Sequence, residues 1–369
     1  MIYLDNAATT LQKPPGVLKT ASKSYANPGR GGNSLSLRAS EIIFNTRLML
    51  ADFFKISDPT RIIFTQNTTH ALNIALKGIL QPGDHVIITG MEHNSVLRPL
   101  HTMGANISVA KPSADGIVSA ESFSRLIKPS TKLIAAVHAS NVCGSINPIF
   151  DIGKLAKKNN IPFLVDAAQT AGLINIDVDK NNISLLAFPG HKLLYGPQGT
   201  GGLYIREGLA LRTLTEGGTG SFSEDANQPK DLPERFESGT LNTPGIAGLG
   251  QGVGFILSRG IDEIYGYEHR LNCYFTERIL QMKNIKLYGP YDPRLRVGVF
   301  GMSIKGTDSV SAGNILNDRF KILTRGGLHC AILAHKSLGT QKDGLLRVSF
   351  SRFTKKSHID SFLKAAKSI

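Results

Sequence analysis

The sequence is poor in cysteine, in acidic residues relative to basic ones, and in long apolar runs. Each shortage excludes something. Three cysteines, Cys143, Cys273 and Cys330, lie far apart in a chain of 369 residues. That spacing offers neither a disulfide framework nor a CxxC metal pair, and it favours a reducing cytosol. Cys143 and Cys273 read as small buried hydrophobes. No segment approaches the roughly 18 uninterrupted apolar residues that a membrane-spanning helix needs. The opening MIYLDNAATT puts Asp5 where a signal peptide would carry its apolar run, so a cytoplasmic protein is expected. No repeat or low-complexity tract is visible. Acidic residues number 28 against 42 Lys and Arg, a formal charge of +14. Such a surplus suits nucleic acid, a phosphate-bearing cofactor or plain solubility. The basic residues are scattered, with short clusters such as Lys157-Lys158 and Lys355-Lys356 and no aromatic interleaving, which disfavours nucleic acid.

The composition is that of an ordinary globular protein, 41% hydrophobic with 38 Gly and 17 Pro. Domains usually run to roughly 100–200 residues, so two cores are expected. Short apolar runs alternate with helical patterns through the middle of the chain, the rhythm of a parallel sheet. The expected strands are Arg61–Thr65, His85–Thr89, Leu133–His138, Phe163–Asp166, Leu185–Phe188 and Gly201–Ile205, with helices at Thr69–Lys77 and Ala120–Ile127. Strands this apolar call for helices on both faces of the sheet. Glu216–Pro244 is rich in Gly, Pro and charge and reads as a long surface excursion. A helical stretch from about Ile246 to Met282 then leads to a smaller α/β region, with strands at Val297–Ile304 and Leu345–Phe350 and a closing helix from Ser357. The expected division is a large domain over 15–250 and a small one made of 1–14 and 251–369.

In open α/β sheets ligands sit beyond the carboxyl ends of the strands, and several polar clusters fall there. Asn67, Thr68 or Thr69 can cap the helix that Ala71, Leu72, Ala75 and Leu76 continue, as a plain cap or as a cradle for phosphate. Asp166 ends an apolar strand, where it either caps the next turn or meets a cationic partner such as a pyridinium nitrogen. Lys192, in a Gly-rich turn after another apolar strand, is either a solvated surface lysine or a desolvated amine able to form a Schiff base. His93 is either a satisfied loop histidine or a ring that stacks on an aromatic ligand. Cys330 lies in a glycine-flanked loop beside Arg325 and His329, and positive neighbours favour a reactive thiolate. Arg347 offers a planar fork for a carboxylate.

The order of these clusters resembles the class V aminotransferases and, more narrowly, the cysteine desulfurases of the SufS-like group II branch. The motifs are Tyr3-Leu-Asp-Asn-Ala-Ala-Thr9, Asn67-Thr-Thr69, Met91-Glu-His93, Ser140-Asn141-Val, Asp166-Ala-Ala-Gln169, Gly190-His-Lys192, Arg235-Phe-Glu-Ser-Gly-Thr240 and Arg325-Gly-Gly-Leu-His-Cys330-Ala. The resemblance implies a fold-type I enzyme of pyridoxal 5'-phosphate (PLP), with a mainly parallel seven-stranded sheet in the large domain, and a homodimer with sites at the subunit interface. It implies Lys192 as the Schiff-base lysine, Asp166 as partner of the pyridine nitrogen, His93 as the stacking ring and proton carrier, and Gln169 on the phenolate oxygen. Thr68, Thr69, His191 and, from the other subunit, Thr240 would hold the phosphate. Asn141, Arg325 and Arg347 would hold the substrate, L-cysteine. Cys330 would accept its sulfur as a persulfide, with alanine as the other product and a SufE-like or SufU-like protein as acceptor for iron–sulfur cluster assembly. No metal, nucleic acid or membrane partner is implied. Pro189, Asn33, His70 and Leu328 depart from residues common in that branch. Rival readings are another class V PLP enzyme, such as a selenocysteine lyase, a C–S lyase or an epimerase, and a non-catalytic basic binding protein on the same fold.

Overall fold

The structure, a computed structural model, describes residues 1–28, 32–221 and 223–369. Twelve strands are found among them. They are β1 (Ile2–Tyr3), β2 (Ile62–Thr65), β3 (His85–Thr89), β4 (Asn106–Ala110), β5 (Thr131–Val137), β6 (Phe163–Asp166), β7 (Leu185–Pro189), β8 (Gly201–Ile205), β9 (Ile285–Tyr288), β10 (Val299–Ile304), β11 (Ile322–Leu323) and β12 (Leu346–Ser349). Seven form one sheet in the order β2-β8-β7-β6-β5-β3-β4. Its pairs are parallel except β2–β8 and β7–β8, so β8 alone runs against the rest. Every residue of β3, β6, β7 and β8 is buried. Both faces are covered, because separate apolar clusters lie on either side, one with Ile87, Val165 and Phe188 and the other with Val86, Leu164 and Ala187. Alternate side chains of one strand point to opposite faces, which is why neighbours in sequence fall into different clusters.

A third cluster, with Leu4, Phe275, Phe300, Val348 and Phe362, packs under the antiparallel sheet β12-β10-β9. The start of the chain joins this region, since β1 pairs in parallel with β11. The expected Ile246–Met282 helix is two helices, Thr243–Arg259 and Ile261–Ile279, separated at Gly260, whose φ of 83° no helical residue adopts. Glu216–Leu241 carries no strand and only the short turn Glu234–Phe236 among the described residues. Strand β4 was not expected from the sequence. It lies at the sheet edge and is mostly half-exposed, so Asn106-Ile-Ser-Val-Ala lacks the unbroken apolar signature of its neighbours. No helix among the described residues is long and apolar enough to cross a membrane.

Candidate active site

The sheet topology brings the carboxyl ends of β2, β3, β5, β6 and β7 to one edge, and the strand order reverses beside β3 and β5. A crevice opens at such a switch point. It is lined by Thr68, Thr69, His93, Asn141, Asp166, Gln169, His191 and Lys192, residues that the sequence places up to 124 positions apart (192 − 68).

Asp166 ends β6, where Val137 and Ala187 flank it across the two neighbouring strands. Its side chain is buried, and Oδ1 accepts a hydrogen bond from Ala168 N–H at 2.9 Å. The cap and the ligand readings are therefore compatible, because this bond uses one oxygen. Burial raises the carboxyl pKa, opposed by the Ala168 N–H and the charge of Lys192. Lys192 follows β7 and is not a solvated surface lysine. Burial pulls its amine down to about 8, with Asp166 opposing and Arg347 adding to the shift. Gly172 explains how the Gln169 turn can lie against the Lys192 loop. A Cβ there would sit 2.1 Å from the Leu193 carbonyl oxygen, and its φ is 100°.

His93 is the N-cap of the helix Asn94–Thr102, with Nδ1 accepting from Ser95 N–H at 3.0 Å and lying 2.8 Å from Ser95 Oγ. Burial, helped by Lys192, Arg347 and Arg98, pushes its pKa down to about 4, so the ring is neutral. The backbone donor at Nδ1 assigns the ring proton to Nε2. Ser95 Oγ also bonds Thr69 Oγ1 at 2.7 Å, tying the ring to the start of the helix Thr68–Ile79. The cap of that helix is Asn67, whose Oδ1 accepts from His70 N–H at 3.0 Å, which leaves both threonines next to the unpaired amides of the first turn. His191 is also neutral, held near 4 by burial and by Lys192 and Lys13, and its Nδ1 lies 3.0 Å from Thr9 Oγ1. Gln169 Nε2 donates to Ala7 O at 3.0 Å.

Asn141 Nδ2 donates to His329 O at 2.7 Å, while its buried Oδ1 has no partner among the described residues. Arg347 NH1 donates to Asn141 O at 3.0 Å and NH2 to Asp5 Oδ1 at 2.6 Å. Cys330 is exposed, and its carbonyl accepts from Asn94 N–H at 2.7 Å. It lines a groove with Lys77, Arg98, Thr69, His93 and Ser95, and the last three also line the Lys192 crevice. Amine and thiol thus lie on adjoining spaces that share one wall.

Some expectations need correcting. His329 brings Cys330 no positive charge: burial and the nearby arginines drive its pKa down to about 3, and its Nε2 lies 2.9 Å from Leu345 O. Cys273 is exposed, on the outer side of the helix Ile261–Ile279, because helical periodicity there turns Leu271 and Phe275 inward instead. The expectation that Thr240 serves the site of the other subunit is not among them, since within one chain it lies outside the crevice. It lines a separate cleft with Ile43, Arg47 and Gly239. Sequence reasoning missed Ser95, Lys13 and Glu92. Lys13 Nζ donates to His191 O at 2.8 Å and is pulled down to about 8 by burial. Glu92, pushed up to about 8 by burial, accepts from Thr89 Oγ1 at 2.6 Å and Val137 N–H at 2.8 Å, bracing β3 against β5. Glu92 adjoins His93 and was the one of the three to fall inside a motif quoted from the sequence, Met91-Glu-His93.

These residues fit PLP. A buried carboxylate with one free oxygen suits a pyridinium, an amine of lowered pKa suits an aldehyde, unpaired amides and hydroxyls suit a phosphate, and a neutral imidazole bounds the space between them. The fold and the site define a PLP-dependent enzyme. The sequence profile of the family "Aminotransferase class-V" matches residues 2–362, and the chain belongs to that family. It is 34% identical to a probable cysteine desulfurase of Methanothermobacter thermautotrophicus, over 93% of this chain and 88% of that one. A cysteine desulfurase of Salmonella typhimurium is likewise 34% identical, over 90% of this chain and 84% of the relative. The fold superimposes on an apo cysteine desulfurase from Thermococcus onnurineus with a TM-score of 0.92 at 33% identity, covering 100% of this chain and 94% of that one. The S-sulfonic acid form of an Escherichia coli cysteine desulfurase gives 0.88 at 25% identity, covering 99% and 94%.

Proposed function

We propose that the chain is a cysteine desulfurase that converts L-cysteine to L-alanine and carries the released sulfur on Cys330. The observation that supports this most is the wall of Thr69, His93 and Ser95, common to the Lys192 crevice and the Cys330 groove. In this reading Asp166, Gln169, Lys192, His191, Thr68 and Thr69 hold PLP, with Thr240 supplied across a dimer contact. When bound, PLP supplies an electron sink for the carbon that bears the amino group. Asn141, Arg347 and Arg325 hold the substrate carboxylate. Lys192, with a pKa near the working pH, takes the Cα proton and can return it. Neutral His93, with its proton on Nε2, bounds the ring face and relays protons. The Cys330 thiolate attacks the substrate's sulfur, forming an S–S bond as the C–S bond breaks. The bond's electron pair stays with carbon, which takes up a proton to become the methyl group of alanine. The persulfide sulfur then passes to the thiol of an acceptor protein.

The test is incubation of the PLP-loaded protein with L-cysteine, with alanine quantified and the persulfide mapped by peptide mass. The expected result is alanine with added sulfur on the Cys330 peptide. If Cys330→Ser releases alanine as fast as the parent, the sulfur-transfer reading fails.

A further inference from the structure

Arg325 and Arg347 face each other as an isolated antiparallel bridge, with backbone bonds of 3.2 Å and 2.7 Å between them. Like charges directly opposite each other on paired strands repel. Asp5 divides them: Oδ1 accepts from Arg347 NH2 at 2.6 Å and Oδ2 from Arg325 Nε at 3.0 Å. The Arg347 side chain is 3% exposed, that of Asp5 10% and that of Arg325 53%. Residue 5 is itself held rigidly. It bridges Ser349, Tyr3 Oη donates to its carbonyl at 3.1 Å, and Asn6 and Ala7 both bond Ser349. Arg347 still has an unused donor, because its buried Nε has no partner among the described residues. Two guanidiniums and one carboxylate leave this corner with a net charge of +1 (2 − 1).

We propose that Asp5 is a specificity-determining residue, a built-in carboxylate that keeps the two-guanidinium subsite at a single positive charge, so that it takes one monocarboxylate and disfavours a dianion. This rests on the reading of Arg347 as the group that holds the substrate carboxylate. An anion entering beside Asp5 meets one uncompensated charge. A second negative group on the same ligand meets Asp5 itself, close enough for repulsion to outweigh screening.

The experiment measures inhibition of alanine formation by acetate and by malonate, in the holoenzyme and in Asp5→Asn. In the parent, malonate is expected to compete no more than about threefold better than acetate. In Asp5→Asn the ratio of the two inhibition constants should move at least tenfold towards malonate, about 1.4 kcal/mol, and Asp5→Glu should restore it. Mere loosening of the structure would weaken both anions together and leave the ratio unmoved. That result overturns the proposal. Arg325→Gln is a second route if Asp5→Asn does not fold. With Asp5 kept and one guanidinium gone, acetate should weaken at least tenfold, and unchanged acetate inhibition likewise overturns the proposal. If Arg347→Ala leaves acetate inhibition intact, the carboxylate-holding reading falls first, and the two failures are told apart.

Discussion

Glu237 anchors the long excursion that carries Thr240, and replacing it by alanine should be severe. Its carboxylate is paired with Arg47 at both ends, with bonds of 2.9 Å from NH1 and NH2, and it accepts Phe64 N–H at 2.6 Å. Both side chains are 5% exposed, and the Arg47 guanidinium also lies 4.6 Å from the Phe64 ring centre. Glu237→Ala would leave a buried guanidinium without its carboxylate, held only by the Ile62 carbonyl, and a strand amide without its acceptor. Breaking a buried pair from one side costs about 3–5 kcal/mol, and an orphaned amide about 1–3 kcal/mol. Because the cleft beside Arg47 admits water, a total near 4 kcal/mol is expected, a fall in Tm of about 5 °C for a chain of 369 residues. Scanning calorimetry or a dye-based melt reads it directly. The double variant Arg47→Met, Glu237→Leu removes both charges at similar volume and should recover more than half of the loss. A Tm within about 3 °C of the parent for Glu237→Ala, or a double variant no better than the single one, would refute the account of this pair.

Four further outcomes are expected. Lys192→Ala should abolish the visible absorbance of the PLP-loaded protein, and unchanged absorbance would remove the Schiff-base assignment. Cys330→Ser should slow alanine release from L-cysteine by at least ~100-fold, with PLP absorbance kept. Gly172→Ala places a Cβ 2.1 Å from Leu193 O in a left-handed backbone, so it should destabilise by about 3 kcal/mol or more and weaken PLP retention, measured by dialysis. Stability should peak near neutral pH. The histidines held near 3 (His138, His329) and near 4 (His93, His191) bind protons more readily unfolded, so stability falls as pH drops from about 6.5 towards 4. Glu92 and Glu268, held near 8, keep their protons better when folded, so stability falls as pH rises from about 4.5 towards 8. Glu92→Gln should flatten the alkaline side of a Tm profile, and an unchanged slope there would contradict its assignment as a neutral buried acid.

The strands of the large sheet other than its edge strand β4 were legible because they are almost wholly buried and therefore mainly apolar. β3, β6 and β8 match their expected bounds to the residue. β4, β9 and β11 were not, because edge or half-exposed strands need no such run. Site residues that follow an apolar strand, such as Asp166 and Lys192, announced themselves by a polar group where burial penalises it. Ser95 and Lys13 carried no such mark, since their roles come from what folds against them. The charge of His329 could not be read from composition, because burial rather than neighbours in sequence decides it.

Both His329 and Cys330 adopt left-handed backbone, with φ of 48° and 55°, and each of their carbonyls is hydrogen-bonded to a different element. A short loop strained and pinned in this way is no swinging arm. On the proposed reading, whatever collects the cargo from residue 330 would have to bring its own nucleophile to the rim, so that delivery would be governed by docking rather than by reach.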